Sequence, residues 1–101
     1  SPQLEYLKRS LIILTDDFEQ AVKKVTSTED NEFLDFHARR LVEMAGHIIM
    51  SYLLLLDANR EESFLRSAKN YINFAKSQIK ASAEYIRVSE LSDLGEYKFE
   101  L

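Results

Sequence analysis

Apolar residues recur along the first quarter of the chain at Leu4, Leu7, Leu11, Leu14, Phe18, Val22 and Val25, in steps of 3, 4, 3, 4, 4 and 3. That rhythm marks one face of a helix and predicts helical structure over residues 4–26. Ser1 before Pro2 suits its start, since a hydroxyl cap followed by proline at the first helical position is a favoured pairing. A matching stripe of Leu65, Ala68, Ile72, Ala75, Ile79, Ala83 and Ile86 predicts a helix over 61–88. Its alternating alanines let a neighbouring helix approach toward the lower end of the usual ~8–10 Å.

The middle of the chain carries two stripes at once. Leu34, Ala38, Leu41, Ala45, Ile48, Tyr52 and Leu55 form one; Val42, Gly46, Ile49, Leu53 and Leu56 form another. Both lie on a predicted helix over 31–57. Between His47 and Asp57 only Ser51 is clearly polar, and four consecutive leucines point in four directions. Such a helix is buried on several sides. The run falls short of the roughly 20 residues that cross a bilayer. Helices 1 and 3 are therefore expected to cover one stripe each.

Two short polar breaks separate the helices. In Ser27-Thr-Glu-Asp30, Ser27 or Thr28 is positioned to cap the second helix, with Asp30 and Glu32 near its positive end. In Asp57-Ala-Asn-Arg60, Asn59 and Glu62 have the spacing of a capping box. Breaks this short force sequential helices to run antiparallel. The expected fold is all-α: an up-down-up antiparallel three-helix bundle with a short C-terminal tail from Ser89 to Leu101.

Composition narrows the class. The 101 residues fit one domain, and two glycines with one proline are too few for a turn-rich sheet protein. No cysteine is present, which removes disulfides and thiolate metal sites and agrees with a cytoplasmic location. A net charge of -4 argues against a nucleic-acid partner. The chain opens on Ser1-Pro2, with methionine only at positions 44 and 50, so a piece of a longer protein is expected.

Candidate chemistry is sparse. His37 and His47 are ten residues apart and do not make the i, i+4 pair of a helical zinc site. Glu43 and His47 are one turn apart, ordinary side-chain neighbours. Arg40 and His47 satisfy the loose Arg-x4-6-His spacing of HEPN-type ribonucleases, also helical bundles, and share a helix face roughly 10 Å apart. Leu41 stands where a polar residue usually follows that arginine. A basic row of Arg66, Lys69, Lys76, Lys80 and Arg87 on the third helix reads as a solvated face. Two glycines cannot build a phosphate-cradling loop.

The stretch Leu41-Val-Glu-Met-Ala-Gly-His-Ile-Ile-Met-Ser-Tyr-Leu-Leu-Leu-Leu-Asp57, followed by Phe64, Ala68, Tyr71 and Ala75, resembles the helical C-terminal extension of long bacterial acyl-CoA dehydrogenases. The resemblance implies a bundle that follows a catalytic body holding FAD, which removes two hydrogens from an acyl-CoA thioester in fatty acid metabolism. The family's catalytic glutamate and its flavin- and CoA-contacting segments belong to that body. No catalytic, cofactor-binding or metal residue is therefore carried onto this chain. The implied role is to brace the catalytic body or the subunit interface in an oligomer, without nucleic acid or membrane as partner. An independent, self-associating helical module and the ribonuclease are the alternatives. Ile12 and Ile13, left over from the first stripe, together with Tyr97, Phe99 and Leu101 in the tail, are expected to form a sticky dimerisation patch.

Overall fold

The structure, a computed structural model, describes residues 1–89. Three helices account for nearly all of them: α1 (Pro2–Ser27), α2 (Asn31–Arg60) and α3 (Leu65–Val88), with a single 3-10 turn at Glu62–Phe64 before α3. Each helix packs on both others, and no strand occurs among the described residues. The all-α three-helix bundle expected from the apolar rhythm is the fold. Tyr97, Phe99, Leu101 and the rest of the expected tail beyond Ser89 lie outside the described residues.

The start of α1 follows its sequence signal. Ser1 accepts a hydrogen bond from the Leu4 amide at 3.4 Å, and Pro2 opens the helix. The other two caps differ from expectation. Asp30, and not Ser27 or Thr28, caps α2 by accepting from the Phe33 amide at 2.9 Å. Thr28 instead donates its hydroxyl back to the Val25 carbonyl at 2.7 Å, so it serves the end of α1. Asn59 makes no capping box with Glu62. Three residues beyond the expected end stay helical, and Asn59 lies inside α2. The 3-10 turn then leads into α3 without any side-chain cap.

The core agrees with the stripes on α1 and α3. Leu7, Leu11, Leu14 and Val25 are buried on α1; Ala68, Ile72, Ala75, Ile79 and Ile86 are buried on α3. Ala68 and Ala75 are fully enclosed, as close helix approach requires. On α2 the expected assignment fails. Its buried face is Phe33, His37, Met44, Ile48, Ser51, Leu55 and Ala58. Only Ile48 and Leu55 of the first stripe are buried, and the second stripe faces away from both neighbours. The periodicity was ambiguous because a nearly all-apolar helix offers several equivalent stripes. The buried one includes two polar residues: the Ser51 hydroxyl donates to the His47 carbonyl at 2.7 Å, and the His37 ring packs edge-on against Phe33 and Phe36.

One long-range polar contact fixes the far end of the bundle. Lys24 Nζ on α1 donates to the carbonyls of Arg87 at 2.7 Å and Ser89 at 2.9 Å. It thereby satisfies carbonyls that the end of α3 leaves without helical partners, and its charge opposes the helix dipole. Replacing Lys24 with methionine keeps the aliphatic stem and removes the donor. We expect a loss of about 1 kcal/mol in chemical denaturation, half-exposed lysine contacts being screened by water.

The turn between α1 and α2 holds strain. Glu29 has φ 54°, in the left-handed region that favours glycine or asparagine just beyond a helix end. Glu29→Gly is expected to stabilise the fold by roughly 0.5–1 kcal/mol, raising the melting temperature by a few degrees in a thermal scan.

Candidate interaction surface

The face of α2 opposite the core is apolar and wet. Val42 is 71% exposed, Ile49 61%, Leu53 52% and Leu56 59%. Gly46 lies in line with them, and a Cβ placed there would meet no atom within 4 Å. Sequence reasoning placed these five residues under helix 1 or 3, and the structure overturns that. Two neighbouring helices in a three-helix bundle can touch only part of a helix's circumference, and the core face containing Met44 and Ser51 takes that part.

The strip extends sideways onto α1. Ile12, 63% exposed, lines a shallow groove with Lys8, Tyr52, Leu55, Leu56 and Asn59, whose volume is about 380 Å³. A second shallow hollow, with Leu53, Leu56, Asp57, Asn59 and Arg60, continues it along α2. Ile13 is exposed as expected from the sequence, but it is not among the residues lining that groove. The signal that would have located the strip is its spacing: residues 42, 46, 49, 53 and 56 follow steps of 4, 3, 4 and 3. That is the rhythm of a coiled-coil seam, which meets another helix.

By length and composition α2 is apolar enough to cross a membrane, and only 28% of its most apolar stretch is buried within the bundle. Its packing does not suit a span. One side of α2 is committed to α1 and α3, whose own outer faces carry charged residues such as Arg9, Glu19, Arg66 and Lys69. A bilayer would leave those charges in hydrocarbon.

The polar residues singled out for chemistry are engaged elsewhere and apart. The Arg40 guanidinium lies over the rings of Tyr85 at 4.4 Å and Phe36 at 5.3 Å, and Nη1 donates to the Phe36 carbonyl. His47 Nδ1 shares a 3.0 Å hydrogen bond with the Tyr71 hydroxyl, and its ring packs edge-on against Phe74. Their partners on α3, Tyr85 and Tyr71, are four turns apart, roughly 21 Å. Arg40 and His47 thus hold α2 against α3 at two separate levels, and the ribonuclease spacing has no shared site. His37 is fully buried and packs against Tyr85 as well as its own helix. Among the described residues no cluster of three or more histidine or acidic side chains could hold a metal ion.

An open groove of about 640 Å³ lies between α1 and α3, lined by Asp17, Gln20, Lys24, Lys80, Glu84 and Arg87 among others. Four of its charges are paired within it, and Lys24 is held by the Arg87 and Ser89 carbonyls. Lys80 pairs with Asp17 at 3.6 Å, and Arg87 pairs with Glu84 at 2.6 Å. The Arg87 hydrogen bond holds the Glu84 carboxyl below its ordinary range, and Glu84 raises Arg87 in return. Of the basic row on α3, Lys80 and Arg87 are ion-paired, and Arg66 and Lys69 are exposed, as the reading of a solvated face expects.

Residues 1–94 match the family described as acyl-CoA dehydrogenase C terminal. The chain belongs to that family. Its fold is similar to the crystal structure of an acyl-CoA dehydrogenase family protein from Porphyromonas gingivalis, with a TM-score of 0.81 and 38% identity over 89% of this chain and 78% of that one. No curated protein matches the sequence significantly. The resemblance first seen in the Leu-rich run of α2 and the spaced alanines of α3 is therefore a family relationship extending over the whole bundle.

The exposed strip makes an energetic prediction about this family member. Met44→Ala, which hollows the core, is expected to cost about 2–5 kcal/mol in urea unfolding. Val42→Ala on the outer face should change monomer stability by less than about 0.5 kcal/mol. Equal losses at the two positions would mean that the face assignment is wrong.

Proposed function

We propose that this chain is the non-catalytic C-terminal domain of an FAD-dependent acyl-CoA dehydrogenase, and that it braces the catalytic body or the subunit interface through the outer face of α2. The family relationship supports an enzyme as the parent. In this reading flavin and acyl-CoA occupy the preceding body in the cytoplasm, and oxidation of the thioester's acyl chain takes place there. The observation that carries the bracing role is the wet apolar strip of Val42, Ile49, Leu53 and Leu56. Contiguous apolar patches beyond a few hundred Å² are rare on soluble proteins unless something docks there.

A flavin ring needs a concave slot with a few convergent polar groups. The larger groove is open, with Asp17 paired to Lys80 and Glu84 to Arg87, and the apolar groove beside Ile12 is shallow. No side chain here is assigned to the cofactor.

Two measurements test the reading. The purified chain should be colourless, bind no FAD on titration and oxidise no acyl-CoA; yellow, active protein would overturn the non-catalytic assignment. A parent enzyme truncated before this domain should keep its flavin yet melt several degrees lower or lose subunits by mass. An unchanged melting temperature and unchanged mass would remove the bracing role.

A further inference from the structure

The occupant of the outer face of α2 can be argued from the face itself. Its five positions keep a strict alternation of four and three residues over two heptads, from Val42 to Leu56. A seam with that period meets another helix running nearly parallel or antiparallel to it, each side chain inserting between those of the partner. A globular body of mixed shape would not require the regular repeat.

Gly46 points the same way. A glycine inside a helix costs about 0.5–1 kcal/mol relative to alanine, and nothing within this fold needs its small size, since a Cβ there would project into open space. A helix laid across the strip would use that notch for close approach.

The ends of the strip identify which helix. At one end Arg39 bonds Glu43 at 3.2 Å; at the other Arg60 bonds Asp57 at 2.6 Å. Each end carries one base and one acid, one turn apart. Laid antiparallel on a copy of itself, the strip places the Arg39–Glu43 end opposite the Asp57–Arg60 end, and both arginines gain a carboxylate across the interface. Laid parallel, Arg39 would face Arg39 and Glu43 would face Glu43. The surface is thus complementary to its own image under a two-fold rotation, the condition for an isologous dimer.

The area is sufficient. With large side chains presenting on the order of 150–200 Å² when fully exposed, the strip with its flanking Met50, Tyr52 and Ile12 offers roughly 600–800 Å². Stable specific dimers bury about 800 Å² per partner, polar rim included.

We propose that the chain forms a homodimer through α2, two copies of the Val42–Leu56 strip packing antiparallel about a two-fold axis near Ile49. The pairing names the occupant that the bracing role leaves open, and rests on that reading only in assigning the face to an assembly. The earlier expectation of a dimer patch keeps Ile12 at the edge of this interface and gives its centre to α2.

Sedimentation equilibrium of the chain at micromolar concentration should give the dimer mass. Ile49→Glu and Leu53→Glu should each raise the dissociation constant at least tenfold with helical content unchanged, because both positions face water in the monomer. Tyr6→Glu, exposed on α1 away from the groove, should leave it within twofold. The absence of native cysteine allows the orientation to be read by oxidation. A Val42→Cys, Leu56→Cys double variant should cross-link into covalent dimers, since residue 42 of one copy meets residue 56 of the other. Within one chain the two are about 21 Å apart and cannot bond. Val42→Cys alone should not cross-link. A monomer, a dimer indifferent to Ile49→Glu and Leu53→Glu, or cross-linking of Val42→Cys alone would overturn the proposal. A monomeric chain would leave the domain assignment intact, whereas bound flavin would refute that assignment and leave the dimer standing.

Discussion

The central helix is apolar on more sides than its two neighbours can cover. Burying a large aliphatic side chain is worth about 1.5–3 kcal/mol, so every stripe on α2 favours enclosure, yet α1 and α3 together reach only one side of it. The bundle therefore has to choose a face. It encloses Phe33, Met44, Ile48 and Leu55 along with two polar residues, and leaves the more uniformly aliphatic strip outside. Within the isolated chain that choice wastes hydrophobic surface. Within an assembly it does not, because the outer strip becomes an interface with a defined axis and length.

The polar members of the buried face make that choice intelligible. Ser51 returns its hydroxyl to its own helix and costs little to enclose. His37 sits among the rings of Phe33, Phe36 and Tyr85, and Arg40 lies over Tyr85 and Phe36 beside it. His47 reaches Tyr71 two turns further along α2. These aromatic and hydrogen-bonded contacts join α2 to α3 with a directionality that aliphatic packing lacks, and so they set the rotation of α2 about its axis. Arginine and histidine that resemble a catalytic pair in the sequence serve here as fasteners between helices.

The sequence revealed α1 and α3 well because on each one regular apolar stripe dominates a largely polar remainder; Leu7 to Val25 and Ala68 to Ile86 mark the inward face. It misassigned α2 for the opposite reason. Where nearly every position is apolar, period alone does not select a face, and the true one was disguised by His37 and Ser51. The caps failed more locally. Ser27, Thr28 and Asp30 are all competent capping residues, and only the path of the chain through left-handed Glu29 selects Asp30. Of the interaction surface, Ile12 was legible as a leftover beside the first stripe. Val42, Ile49, Leu53 and Leu56 read as core in the sequence, since a single chain's periodicity does not distinguish apolar residues covered by their own chain from those covered by another.

The claim on which the rest depends is that α2 turns its Met44–Ser51 side inward and its Val42–Leu56 side outward. Methyl NMR of the dilute chain with a soluble paramagnetic agent measures this directly, since the agent broadens only methyls that water reaches. The account predicts strong broadening at Val42, Ile49, Leu53 and Leu56, with Met44, Ile72, Ile79 and Ile86 protected. Protected methyls along the Val42–Leu56 strip in a sample shown to be monomeric, with Met44 broadened, would contradict it.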